Sequence, residues 1–103
     1  MPNYELAEAA EADLKSIALY TISKWGPKQA ARYGAILEAH FEAIGKGKAR
    51  TRTFLQRRPE LRVSRIERHY VFHLDREKQS PIILAVFHES MDLMRRLRAR
   101  LGD

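Results

Sequence analysis

Residues 82–101 read IILAVFHESMDLMRRLRARL, and the change of rhythm inside this stretch decides the fold. Ile82–Phe87 is apolar at every position, the pattern of a central strand covered on both faces. Beyond it Met94, Leu97 and Leu101 recur at three- and four-residue spacing, with Arg95, Arg96 and Arg100 largely on the other side, which predicts an amphipathic helix. Between the two, Ser90 is expected to cap that helix. Asp92 is expected in its first turn, where the helix dipole favours an acid.

The residues before Ile82 supply the strand's neighbours. Tyr70, Phe72 and Leu74 share one face of a second strand, and LRVSRI (Leu61–Ile66) makes a third with irregular alternation. Short turns at Glu67–Arg68 and Arg76–Ser80 suit hairpins, so the three strands form an antiparallel meander. GKGKART, Gly45–Thr51, is the one linker-like stretch.

Further upstream the period is helical. Leu14, Ile17, Ala18, Ile22 and Trp25 draw a stripe down a helix from about Ala7 to Trp25, with Glu8, Glu11 and Asp13 in its first turns. Ala30, Tyr33, Leu37, Phe41 and Ile44 do the same for a second helix. Gly26–Pro27 separates the two with so short a link that they pair as an antiparallel hairpin. Trp25 and Phe41, both on these stripes, are expected in the core. Tyr4 and Leu6 alternate with polar neighbours in a short opening strand, Asn3–Leu6, with Pro2 at its start. The expected fold class is therefore α+β: an N-terminal strand, an antiparallel helical hairpin packed on an antiparallel sheet, and a short C-terminal helix, in a single domain spanning 1–103.

At 103 residues there is room for one core. No run of about 18 apolar residues exists and the N-terminus is acidic, so neither a membrane span nor a signal peptide is expected, and the reading is of a cytoplasmic protein with no membrane partner. With no cysteine, disulfides and thiolate zinc sites are excluded. The net charge of +6 is concentrated in the second half. Lys46–Leu74 holds many bases against only Glu60 and Glu67, and such a field attracts nucleic acid, acidic protein or anionic lipid alike.

Few residues suggest chemistry. His69 and His73, if on a strand, lie roughly 13 Å apart, too far for one metal ion. They are expected as polar residues on the face opposite Tyr70 and Phe72. Gly45-Lys46-Gly47-Lys48 lacks the spacing of a phosphate loop. Ser64 and Ser90 have no nucleophile-elbow setting and read as strand surface and helix cap. Cleavage of RNA by its own 2′-hydroxyl needs only a proton acceptor, a donor and cations, which leaves Arg58, Arg62, Arg65, His69, His73 and His88 as a set around a phosphate on an exposed sheet face. No spacing requires any pair of them to converge, and no tyrosine follows Tyr70.

The order of elements and the residues at their joints resemble the RelE/ParE superfamily of bacterial toxins, and its ParE branch more closely. The resemblance rests on YEL (Tyr4–Leu6), A-x-x-D-L-x-x-I-x-x-Y (Ala10–Tyr20), WGPKQAARY (Trp25–Tyr33), the basic strands RVSR and HYVFH, and the close AVFHESMD. It implies a toxin of a type II toxin–antitoxin system that inhibits DNA gyrase by binding and is neutralised by a ParD-type antitoxin with an acidic C-terminal segment, in a hetero-oligomer. DNA would be reached only indirectly, through the antitoxin complex. By the same resemblance the close H-x-x-M-D places gyrase contacts on His88, Met91 and Asp92, and the basic strands place antitoxin contacts on Arg62, Arg65 and Arg68. It implies no catalytic residues, no metal and no cofactor. Two alternatives stand beside it: a RelE-like ribosome-dependent mRNA endoribonuclease, in which His88 replaces the missing tyrosine, and a nontoxic basic interaction module of the same fold.

Overall fold

The apolar run Ile82–Phe87 is indeed a covered strand: in the computed structural model, which describes residues 3–102, it lies inside a five-stranded sheet with helices on both faces. The elements follow in the order β1 (Glu5–Leu6), α1 (Glu8–Trp25), α2 (Pro27–Gly45), β2 (Arg52–Leu55), β3 (Arg58–Ile66), β4 (His69–Arg76), β5 (Gln79–His88) and α3 (Leu93–Leu101). The strands are arranged β1-β5-β4-β3-β2. Strands β2 to β5 form the expected antiparallel meander, joined by two-residue turns at 56–57, 67–68 and 77–78.

Two features depart from the expected sheet. β1 joins β5 in parallel, through Glu5↔Ile82 and Leu6↔Ile83, so the sheet is mixed. It is also shorter than expected, and Pro2 lies outside the described residues. The second departure is β2, which follows directly on the stretch read as a linker and pairs with a β3 that begins at Arg58 instead of Leu61. Neither strand alternates, and each owes its extended state to hydrogen bonds with a neighbour.

Register sorts the side chains between two cores. Ser64, Val71 and Val86 line up on one face, beneath Ala10, Leu37, Phe41 and Ile44 of the helical hairpin. Val63, Phe72 and Ala85 line up on the other, beneath Leu97 of α3. Residues 83 and 86 reach the same face because the β4–β5 register shifts between Phe72 and His73, a bulge that leaves Leu84 without a cross-strand partner. Phe72 is wholly buried, its ring 5.0 Å from Phe54 and 5.8 Å from Phe87. With α3 over it, the second sheet face is not the exposed surface that the sequence suggests.

Helix ends follow their sequence signals in part. Gly26, at φ 92°, closes α1, and Pro27 opens α2. At the start of α3 the cap is Asp92, not Ser90: its carboxylate accepts a hydrogen bond from the Arg95 amide (3.2 Å). Ser90 is occupied elsewhere. Phe41 is buried as expected, but Trp25 is 66% exposed, because none of the described residues covers the outer side of α1.

Candidate functional site

At one end of the sheet the β3–β4 turn meets the connection from β5 to α3, and this junction gathers most of the singled-out residues. The Glu89 amide donates to the Arg68 carbonyl (2.9 Å), which ties the two loops together. The Glu89 carboxylate then bridges the Arg65 and Arg68 guanidinium groups, the latter at 3.1 Å. Arg65 also lies over the Tyr70 ring, 5.5 Å from its centroid. One carboxylate thus holds two arginines side by side.

Arg62 is not part of this patch. Residues 62 and 65 are an odd number apart on one strand, so they leave opposite faces of the sheet. Arg62 pairs in register with His73 and donates to Thr51 (3.2 Å) and Thr53 (2.7 Å). The expected trio Arg62, Arg65 and Arg68 therefore divides into a pair and an outlier.

His88, Met91 and Asp92 are brought together at the junction. His88 Nδ1 accepts from the Ser90 hydroxyl (2.7 Å) and the Ser90 amide (3.1 Å), which fixes the ring and explains why Ser90 does not cap α3. The Met91 amide donates to the His88 carbonyl (3.0 Å), and the Met91 side chain remains exposed. The opening stretch thus serves three tasks: His88 ends a strand, Glu89 clamps two arginines, and Asp92 starts a helix.

Of the other histidines, His69 and His73 are buried and His40 is half-buried. His69 is buried under α2, its Nδ1 hydrogen-bonded to the Tyr33 hydroxyl (2.5 Å) and its ring edge-on to His88, with centroids 5.2 Å apart. Burial, reinforced by His88, pulls its pKa down to about 4. His40 on α2 is hydrogen-bonded to a buried Ser64 (2.8 Å), and its pKa too is lowered, by burial and then by His73. His73 meets Asp75 through Nε2 (3.2 Å) while its buried Nδ1 has no partner; burial again lowers its pKa, against the pull of Asp75. His69 and His73 do face away from Tyr70 and Phe72, but toward the hairpin core. Ser64, expected on a strand surface, is in that core as well.

The six residues weighed for RNA cleavage therefore do not surround one point. Arg62, His69 and His73 belong to the face under the helical hairpin, with His88 opposite His69 at its end, and Arg65 to the face that α3 covers. Among the described residues, no three His, Cys, Asp or Glu side chains are placed to hold a metal ion.

A second surface lies on the outer side of the helical hairpin. Between α1 and α2 runs an apolar groove of about 410 Å³, walled by Leu14, Ile17 and Ala18 on one side and Ala30, Tyr33 and Leu37 on the other. Beside it α1 exposes Leu19, Tyr20, Ile22 and Trp25. The signal was present: apolar positions on α1 cover a wider arc than one core-facing stripe requires.

Residues 4–93 match the family described as ParE toxin of type II toxin-antitoxin system, parDE. The chain belongs to the ParE toxin family. It is 42% identical to a Toxin ParE of Escherichia coli over 101 residues, covering 98% of each chain. It is 33% identical over 102 residues to Toxin ParE1 of Caulobacter vibrioides, covering 99% of this chain and 100% of the relative. Among solved structures it is similar to a chain of the chromosomal ParDE TA system from P. aeruginosa, with a TM-score of 0.69, 17% identity, and coverage of 82% of this chain and 92% of that one. That likeness, at such low identity, concerns the fold alone. Membership makes the chain a toxin-family protein, and it agrees with the resemblance read from YEL, WGPKQAARY and AVFHESMD. Among the described residues no helix is long and apolar enough to cross a membrane.

Proposed function

We propose that this chain acts in the cytoplasm as the toxin of a toxin–antitoxin pair, inhibiting DNA gyrase by binding and without catalysing a reaction. The observation that carries this reading is that its histidines are already engaged within the fold: His69 and His73 are buried and His40 half-buried in hydrogen bonds to Tyr33, Asp75 and Ser64, and His88, packed across from His69, is held by Ser90. A junction that presents Met91 beside the clamped Arg65 and Arg68 is suited to contact a protein. His88 and Asp92 would shape that contact, as the family resemblance implies.

The α1–α2 groove supports an antitoxin of the ParD type. An amphipathic helix laid along it would cover Trp25 and Ile22, and an acidic tail would be drawn to the basic half of the chain, Arg62, Arg65 and Arg68 included. The two partners would form a hetero-oligomer. Purified gyrase with relaxed and supercoiled plasmid tests the reading: cleaved DNA should accumulate on addition of the chain and disappear on addition of the antitoxin encoded with it. Unaltered supercoiling with ribosome-dependent breakage of mRNA would favour the endoribonuclease instead.

A further inference from the structure

The largest uncompensated charge on the molecule lies away from both surfaces above. From Gly45 to Arg58 the chain carries Lys46, Lys48, Arg50, Arg52, Arg57 and Arg58 and no acid. All but Arg58 are exposed. Arg58 pairs with Glu60 (3.4 Å); the other five form no ion pair among the described residues. The arginines of α3 are different, since Arg100 is tied to Asp13, and Glu89 and Asp92 flank that helix.

The backbone places these cations along one edge of the sheet: Lys46, Lys48 and Arg50 in the connection from α2, Arg52 on β2, and Arg57 and Arg58 at the β2–β3 turn. β3 pairs with β2 from Arg58 onward, at Leu55↔Arg58, but with β4 only from Leu61. β4 itself runs on to Arg76, which in that register lies beside Pro59, so the β2–β3 hairpin passes the end of β4 only by Arg58 and the turn at 56–57. Pro59, without an N–H, cannot extend the pairing.

We infer that this hairpin is a contact for duplex DNA. The β2–β3 turn, whose strands lie about 4.8 Å apart, fits the major groove of B-form DNA, about 12 Å wide, with Arg57 at its tip and Lys48, Arg50 and Arg52 along the sheet edge reaching flanking phosphates. The surface is less suited to an acidic protein. Phe54 and Leu55 turn inward against the core, so the exposed residues offer charge without the apolar anchors on which protein interfaces depend. A-form RNA is a poorer fit, because its major groove is too narrow for side chains to enter. The contact is direct, unlike the indirect route through the antitoxin complex expected from the sequence, and it goes beyond gyrase inhibition without depending on it.

Fluorescence anisotropy of the purified full chain with a labelled 25-base-pair mixed-sequence DNA duplex tests this between 50 and 200 mM salt. Four phosphate contacts predict that log K falls against log salt with a slope of about −3.6, an affinity loss of about a hundredfold across that range. Replacing Lys48→Gln, Arg50→Gln, Arg52→Gln and Arg57→Gln together should abolish most of that dependence, and Arg57→Gln alone, at an exposed turn, should reduce the slope by about one. An Arg95→Gln, Arg96→Gln, Arg98→Gln variant should bind as the parent does. Absence of duplex binding, equal loss in the α3 variant, tighter binding of duplex RNA of the same length, or equally effective competition by a poly-glutamate peptide at matched charge would each overturn the assignment.

Discussion

Asp13 and Arg100, 87 positions apart in sequence, meet in a two-bond fork: Nη1 to Oδ2 and Nη2 to Oδ1, each 3.0 Å. The fork closes the β5 edge where β1 stops. Oδ2 also accepts from the Val86 amide (2.9 Å), and Nη1 also donates to the Leu84 carbonyl (2.9 Å), so the bulged strand's free edge groups are satisfied by side chains of α1 and α3. Arg100 further lies 5.0 Å from the Phe87 ring centroid. Asp13→Asn or Arg100→Gln should destabilise the fold by about 2–3 kcal/mol, since each strands a partly buried charge and an edge hydrogen bond. Urea denaturation of both single variants and the double variant would check this; strong non-additivity is expected.

Stability should fall in mild acid. His40, His69 and His73 are all held below the ordinary histidine pKa by burial, His69 at about 4. The unfolded chain takes up their protons near pH 6.5 while the folded chain does not, so their contribution is complete above that pH and is lost as pH falls from 6.5 toward 4. The urea midpoint should drop steadily over that window, and His69→Asn should flatten the dependence.

Trp25 and Ile22 should matter to a partner and not to the fold. Trp25→Ala is expected to shift the melting temperature little, since its side chain is mostly exposed, and to weaken antitoxin binding by at least tenfold, or about 1.4 kcal/mol. Tryptophan emission offers a direct readout, as Trp25 is the single tryptophan and should shift to the blue when covered.

Gly45 is required by a close approach. A Cβ there would lie 2.4 Å from the Asn3 carbonyl oxygen, a backbone atom that cannot move without β1. Gly45→Ala should therefore cost about 1–3 kcal/mol, despite the better helix propensity of alanine, and hydrogen exchange should show β1 opening first.

The helical hairpin and the central strand were legible because long periodic runs bury their apolar faces whatever the rest of the chain does. β2 was not, since RTFL becomes a strand only by pairing with β3. The parallel placement of β1 rests on two residues and a groove edge that no local pattern records. Ser90 and Asp92 are both good caps, and His88 Nδ1 decided between them by engaging Ser90. Trp25 shows the limit of a stripe, which marks an apolar face but not what covers it. For Arg62 and Arg65 the signal was present: an odd spacing on one strand already puts them on opposite faces.

Inhibition by binding is tested most directly by titrating purified gyrase, plasmid and a labelled mRNA on ribosomes with the chain, from sub-stoichiometric amounts to excess over gyrase. A binding mechanism predicts that cleaved plasmid rises in proportion to the chain added, levels off as gyrase is saturated, and leaves the mRNA intact. Repeated turnover, with many transcripts broken per chain and gyrase unaffected, would contradict it.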